Sequence, residues 1–184
     1  QNDQVVAIVT YLSEFFRTTL SKGQDIITIY DEKRHIESYL KIQQFRYQDV
    51  LEYSIDIEEK LYAVKIPKLL LQPLVENALV HGIRNKRGKG HLSVRGYFQE
   101  NDVIFEVEDD GKGMNKEELK ALIHGMDHDS GADRQSGFGV ANVNQRIHIY
   151  YGEQYGISYE SHPGEGTLVR IQVADHVSEV PVIR

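Results

Sequence analysis

Apolar positions along this chain follow two different periods, and the change from one to the other divides it. From Asp3 to Leu20 they recur at helical spacing, at Val5, Ile8, Val9, Leu12, Phe15, Phe16 and Leu20, and Gly23 follows as a stop. A short extended piece, Ile26 to Tyr30, leads to Asp31, a good N-cap type, so a second helix is predicted from Glu32 to about Tyr47. Its apolar set is Ile36, Tyr39, Leu40 and Phe45. The period then drops to two. Leu51, Tyr53, Ile55 and Ile57 alternate with Glu52, Ser54 and Asp56, the pattern of a half-buried strand.

Ala63 to Ile66 is a shorter strand candidate. Pro67 suits the first turn of a helix over roughly 68–80, although Pro73 inside it either kinks that helix or moves its start later. Arg84 to Gly90 is a loop. His91–Phe98 and Val103–Glu108 are predicted strands joined by a turn at Asn101-Asp102. Asn115 to His124 is a short helix, Gly125 to Gly137 a long polar loop, and Gly139 to Tyr151 a third long helix. Tyr155–His162 and Thr167–Val173 form a last hairpin around Pro163-Gly164-Glu165-Gly166. Helices do not separate every strand, so the expectation is α+β: a two-layer α/β sandwich whose mixed, mostly antiparallel sheet is covered by helices on one face, preceded by N-terminal helices.

Composition narrows the chemistry. The 184 residues carry a net charge of -7, with no basic run interleaved with aromatics, which argues against nucleic acid as a partner. An acidic chain that binds an anion must do so locally, through backbone N–H groups, helix N-termini and a metal ion. There is no cysteine, which excludes disulfides and zinc–thiolate sites. No apolar run approaches the ~20 residues that span a bilayer.

Three short runs carry candidate chemistry. Asp109-Asp110-Gly111-Lys112-Gly113 follows a strand and precedes a helix; an Asp there can accept from an exocyclic amine, and the glycines let backbone approach a ligand. An ordinary strand-to-helix turn has the same composition. Gly137-Phe138-Gly139-Val140-Ala141-Asn142 opens a helix, where unpaired N–H groups suit phosphate. Leu74 to Gly82 places Asn77 and His81 on one helical face, and a neutral Asn oxygen suits Mg²⁺. Each run taken singly is ambiguous. Lys112, Arg134 and Arg146 are the nearby candidate cations, with a surface ion pair the plainer reading of Arg146.

In this order and spacing the three runs resemble the N, G1 and G2 boxes of the GHKL (Bergerat) ATP-binding fold. More narrowly, Ile66 to Ala78, together with Tyr39 to Tyr47, is very similar to sensor histidine kinases of the LytS/YesM type. The resemblance implies an ATP-binding catalytic domain that transfers the γ-phosphoryl of ATP to a His for relay to a response regulator. It implies Mg²⁺ at Asn77 and phosphate contacts from His81. It implies adenine held by Asp109 with Thr167, and nucleotide contacts from Gly111, Lys112, Gly113, Arg134, Gly137, Gly139 and Asn142. Residues 125–136 become the ATP lid. Expected boundaries are 1–48 for the helical segment following the acceptor region, 49–174 for the catalytic domain and 175–184 for a tail. Full-length relatives are homodimers anchored in the cell membrane, which would put this chain on the cytoplasmic side.

Two departures matter. Hydrolytic members of the superfamily carry a Glu four residues before the N-box Asn; here that position is Pro73, which cannot act as a base. Glu76 is adjacent to Asn77 but turned about 100° around the helix, and remains as a residue that could orient a water. The family's acceptor His follows a Pro, and none of the four prolines here is followed by His. His35 is therefore read as a packing or surface residue, and the acceptor is expected outside this sequence. A regulatory ATP sensor and an anti-sigma serine kinase are the alternatives, the second disfavoured by the stretch from Tyr39 to Ala78.

Overall fold

A computed structural model describes residues 2–20, 23–47, 50–86, 88–127 and 138–177. Helix α1 (Asn2–Leu20) and helix α2 (Ile29–Arg46) pack on each other, with strand β1 (Ile26–Thr28) between them in the chain. Strand β1 pairs antiparallel with β3 (Lys65–Pro67) in a separate two-stranded ribbon. Strand β2 (Leu51–Ile57) is one edge of a five-stranded sheet with β4 (Gly90–Gln99), β5 (Asp102–Asp109), β6 (Gly156–His162) and β7 (Gly166–Ala174), in the order β2-β4-β5-β7-β6. Among the described strand pairs only β2–β4 is parallel. The other helices are α3 (Gln72–Asn77), α4 (Lys116–Asp127) and α5 (Phe138–Tyr151).

The sheet is half-buried, as the alternation predicts. Leu92, Val94, Val103, Phe105, Val107, Val169 and Ile171 face the helices within one core. The opposite face is mostly polar, although Ile104 is buried on it. There Glu106, buried, is bonded by Arg170 and Tyr97 and paired with Arg95. Burial alone would raise the Glu106 carboxyl, but these partners outweigh it and hold it below the usual range. Helix α2 belongs to the same core as the sheet through Ile29, Ile36 and Leu40, each fully buried. Helix α1, in contrast, leaves Val5, Val9, Phe16 and Leu20 more than half exposed.

Several boundaries differ from the expected ones for local reasons. Thr28, not Asp31, caps α2: its Oγ1 accepts from Asp31 N–H, and its hydroxyl donates back to the Asp31 carboxylate. The helix thus starts at Ile29. Pro67 closes β3 instead of opening a helix. Helix α3 starts only at Gln72, which puts Pro73 in its first turn, where a missing N–H costs nothing. After Asn77 the coil widens to a π-helical turn over Ala78–Gly82 and tightens to a 3₁₀ turn over Ile83–Asn85. The β4–β5 turn is Glu100-Asn101, one residue earlier than expected, with Glu100 left-handed at φ 56°. Asn115 caps α4 by accepting from the N–H groups of Glu117 and Glu118.

Candidate nucleotide-binding site

Asp109 ends β5 with only 4% of its surface exposed. The sheet register sets Thr167 of β7 directly opposite it. Asp109 Oδ1 accepts from Gly111 N–H at 2.9 Å. Burial pushes this carboxyl up to about 6, against the N–H groups of Gly111 and Thr167, which favour the charged form.

Four glycines close the wall around it. A Cβ on Gly82 would lie 2.2 Å from Asp109 Oδ1, and one on Gly111 would lie 2.4 Å from Gly82 Cα. Gly113, left-handed at φ 63°, would drive a Cβ to 1.8 Å from the His162 carbonyl oxygen. At Gly166, φ 100°, a Cβ would meet the Asp109 carbonyl at 1.8 Å. The glycines at 111 and 113 thus serve first to let backbone touch backbone. The contact between Gly82 and Asp109 also presses the π turn against the end of β5.

Asn77, where that turn begins, is half-buried, and among the described residues its carboxamide has no hydrogen-bond partner. His81 lies exposed on the turn. A π turn interrupting an α-helix is frequent at functional sites because it re-aims side chains. The structure therefore gathers Asn77, His81, Asp109, Gly111, Gly113 and Thr167 into one region. Lys112 is exposed on its rim. Gly139, at the start of α5, lies against Pro73, where a Cβ would sit 3.2 Å from that ring, and Asn142 is exposed one turn further on. Arg134 and Gly137 lie outside the described residues, as do residues 128–136 of the expected lid, while 125–127, expected in the loop, instead form the end of α4.

Two residues were not evident from the sequence as parts of this site. The Ser161 hydroxyl accepts from Met114 N–H at 2.9 Å, donates to the Gly166 carbonyl at 2.8 Å and lies 2.9 Å from Thr167 Oγ1. It ties the glycine segment to the strand that carries Thr167. Its only signal is a polar residue on the inner side of β6, after Ile157 and Tyr159. Lys86 pairs with Asp110 at 2.7 Å, and Asp110 Oδ1 accepts from His91 N–H, which fixes the rim.

The chain matches two family models: "Histidine kinase-, DNA gyrase B-, and HSP90-like ATPase" over residues 65–176 and "Histidine kinase" over residues 1–51. It belongs to the histidine kinase-, DNA gyrase B- and HSP90-like ATPase family, and sensor kinases of the LytS/YesM type are among the proteins it resembles. Sensor histidine kinase YesM of Bacillus subtilis is 30% identical over 173 residues, covering 94% of this chain and 28% of that protein. Sensor histidine kinase BtsS of Escherichia coli is 29% identical over 172 residues, covering 94% and 28%. The chain thus spans under a third of the length of these relatives. The catalytic domain of histidine kinase ThkA shares the fold, with a TM-score of 0.61 at 13% identity over 83% of this chain and 97% of that one.

Within this ATP-binding family core, three residues have surroundings the sequence did not reveal. Glu76 accepts from the Gln72 side-chain amide at 2.6 Å, and its charge, after burial, helps push the Tyr39 hydroxyl above its usual range. It faces α2. Among the described residues Arg146 makes no ion pair; it donates to the Lys68 carbonyl at 2.9 Å, across the turn before α3. His35 is a packing residue, buried and stacked on Phe15 with ring centroids 4.8 Å apart.

Proposed function

We propose that this chain is the catalytic part of a two-component sensor histidine kinase, which binds Mg-ATP and transfers its γ-phosphoryl to a histidine imidazole for relay to a response regulator. The observation that carries the reading is Asp109: a buried carboxyl at a strand end, opposite Thr167 and walled by glycines, in an ATP-binding family core. Its oxygens would accept from the exocyclic amine of adenine, supported by Thr167. Asn77 would give Mg²⁺ one oxygen, with phosphate and water completing the shell, which suits an ion that keeps several waters. Among the described residues no cluster of three His, Cys, Asp or Glu offers a dedicated metal cage. His81, Lys112, Arg134, Gly137, Gly139 and Asn142 would serve the phosphates, and 125–136 would close as a lid.

Pro73, where hydrolytic members hold their base, favours transfer over hydrolysis. Glu76, turned toward α2, supports a structural role better than a water-orienting one. The acceptor imidazole would lie on dimerisation helices that pack on the exposed apolar stripe of α1 in a homodimer. We assign residues 1–48 to the acceptor side, 49–174 to catalysis and 175–184 to a tail, with α2 shared through its core residues. No described helix is long and apolar enough to cross a membrane; the membrane-anchored, cytoplasm-facing arrangement is proposed from the relatives.

Calorimetric titration with ATP, with and without Mg²⁺, tests the binding reading, and protection of 125–136 from proteolysis tests the lid. Labelled ATP with an acceptor segment then tests transfer. Binding without transfer leaves a nucleotide sensor, and stoichiometric labelling of the chain alone sinks the idea of an external acceptor.

A further inference from the structure

A partly buried polar chain, centred on the buried His35, crosses three helices and ends beside Asn77. Thr18 Oγ1 of α1 lies 2.7 Å from His35 Nδ1 of α2. His35 Nε2 lies 2.5 Å from Gln72 Oε1, and the Gln72 amide donates to Glu76 Oε1 at 2.6 Å. This order fixes the directions. Gln72 uses its N–H to reach Glu76, so its carbonyl oxygen must accept, and His35 Nε2 must carry the proton. One turn away, the fully buried Glu32 carboxylate accepts from Leu69 N–H at 2.9 Å and Leu71 N–H at 2.8 Å. Those bonds hold the left-handed Leu69, φ 59°, that feeds the chain into α3. Helix α3 is therefore gripped at its start by α2.

At its far end, Gly82 is pressed on Asp109. Both ends of the stretch from Gln72 to Gly82 are held, and the π turn lies between them. An i→i+5 turn can relax to α geometry by losing one residue of register, which makes it an element with two discrete forms.

We propose that His35 and Gln72 are positioning residues through which the seating of α1 on α2 sets the form of the Asn77–Gly82 turn, and so couples the helical input segment to nucleotide affinity. This rests on the reading of that turn as part of the Mg-ATP site. The Thr18 hydroxyl also lies 3.0 Å from the Glu14 and Phe15 carbonyls of its own helix, but His35 and Gln72 are spent on this chain, and apolar packing would seat α2 on α3 without them.

The test measures Mg-ATP Kd, apo thermal midpoint and amide exchange of residues 78–82 in the full 184-residue chain. Thr18→Val, His35→Met and Gln72→Met each remove one joint and keep the volume. Each is expected to weaken Mg-ATP about tenfold, within the usual span of coupling between sites, and to speed exchange in the turn. The double variant His35→Met/Gln72→Met should lose no more than either single one, because both break the same chain. His35→Gln, which keeps a donor near Nε2, should recover most of the affinity. A general packing defect would lower the midpoint and spare Kd, and that result overturns the proposal. So do unchanged Kd in Thr18→Val or Gln72→Met, losses that multiply in the double variant, or failure of His35→Gln to rescue. Wild-type chain that does not bind Mg-ATP would instead refute the nucleotide reading itself.

Discussion

Gly82 and Asp109, on different elements, are so close that residue 82 has no room for a single methyl group: its Cβ would fall 2.2 Å from the Asp109 carboxylate. Gly82 has ordinary helical φ, so the requirement is one of space and not of backbone freedom. Gly82→Ala is therefore expected to keep the fold and displace Asp109. ATP affinity should fall tenfold or more (about 1.4 kcal/mol or above) in a calorimetric titration, and an unchanged Kd would refute the contact.

Asp109 should show opposite effects on stability and binding. Its folded pKa is about 6, above the ordinary 3.8. Between those values the folded chain holds a proton the unfolded chain has lost, so folding stability declines as pH rises through this window. Asp109→Asn removes the buried charge. The variant should be more stable at pH 7 by on the order of 2 kcal/mol, with the gain vanishing below about pH 4, while ATP binding weakens. Urea melts at pH 4 and 7 check this.

The same titration predicts the pH profile of binding. The carboxylate form accepts from an amine more strongly than the acid does, so ATP affinity should fall as pH drops through about 6, and binding near pH 6 should release protons. Calorimetry in two buffers of different ionisation heat measures that release. Proton uptake would contradict the adenine role.

Asn77→Ala should act on the metal. With the carboxamide unpartnered among the described residues, its loss should move the thermal midpoint little and erase most of the difference between ATP binding with and without Mg²⁺. A variant that still discriminates between the two conditions would place the ion elsewhere.

Ser161→Ala removes one hydroxyl with three partners, Met114 N–H, the Gly166 carbonyl and Thr167 Oγ1. Leaving a partly buried N–H unpaired should cost about 1–3 kcal/mol, seen as a lower urea midpoint. ATP affinity should weaken as well, because Thr167 loses its neighbour.

The sheet was legible because period-two alternation survives in β2, β4 and most of β7, whereas β5 is buried on both faces from Val103 to Val107 and was legible from its run of β-branched and aromatic residues. The site was legible through residues whose type is unusual where they stand, such as Asp109 between apolar β5 and paired glycines. The α3 region was harder. Pro73 signalled a late start, but nothing in Ala78 to Gly82 marks a π turn, since no local pattern in these residues spells out that widening. The side of the helix that Glu76 faces was hidden for the same reason, because Gln72 and Tyr39 fix it across space. Gly82 and Gly166 were visible as residues, but their steric purpose exists only once β5 and β7 are paired.

Helix α2 is held on one side by the core through Ile29, Ile36 and Leu40, and on the other by α1 through Glu14, Phe15 and Thr18. A hybrid protein with a foreign N-terminal half should therefore not be joined after Tyr47, where the strand pattern begins and a splice looks natural. Such a graft would replace one wall of the ATPase core. The tolerant junction is the turn at 23–25, provided that the donor's last helix supplies the same three side chains to the α2 surface.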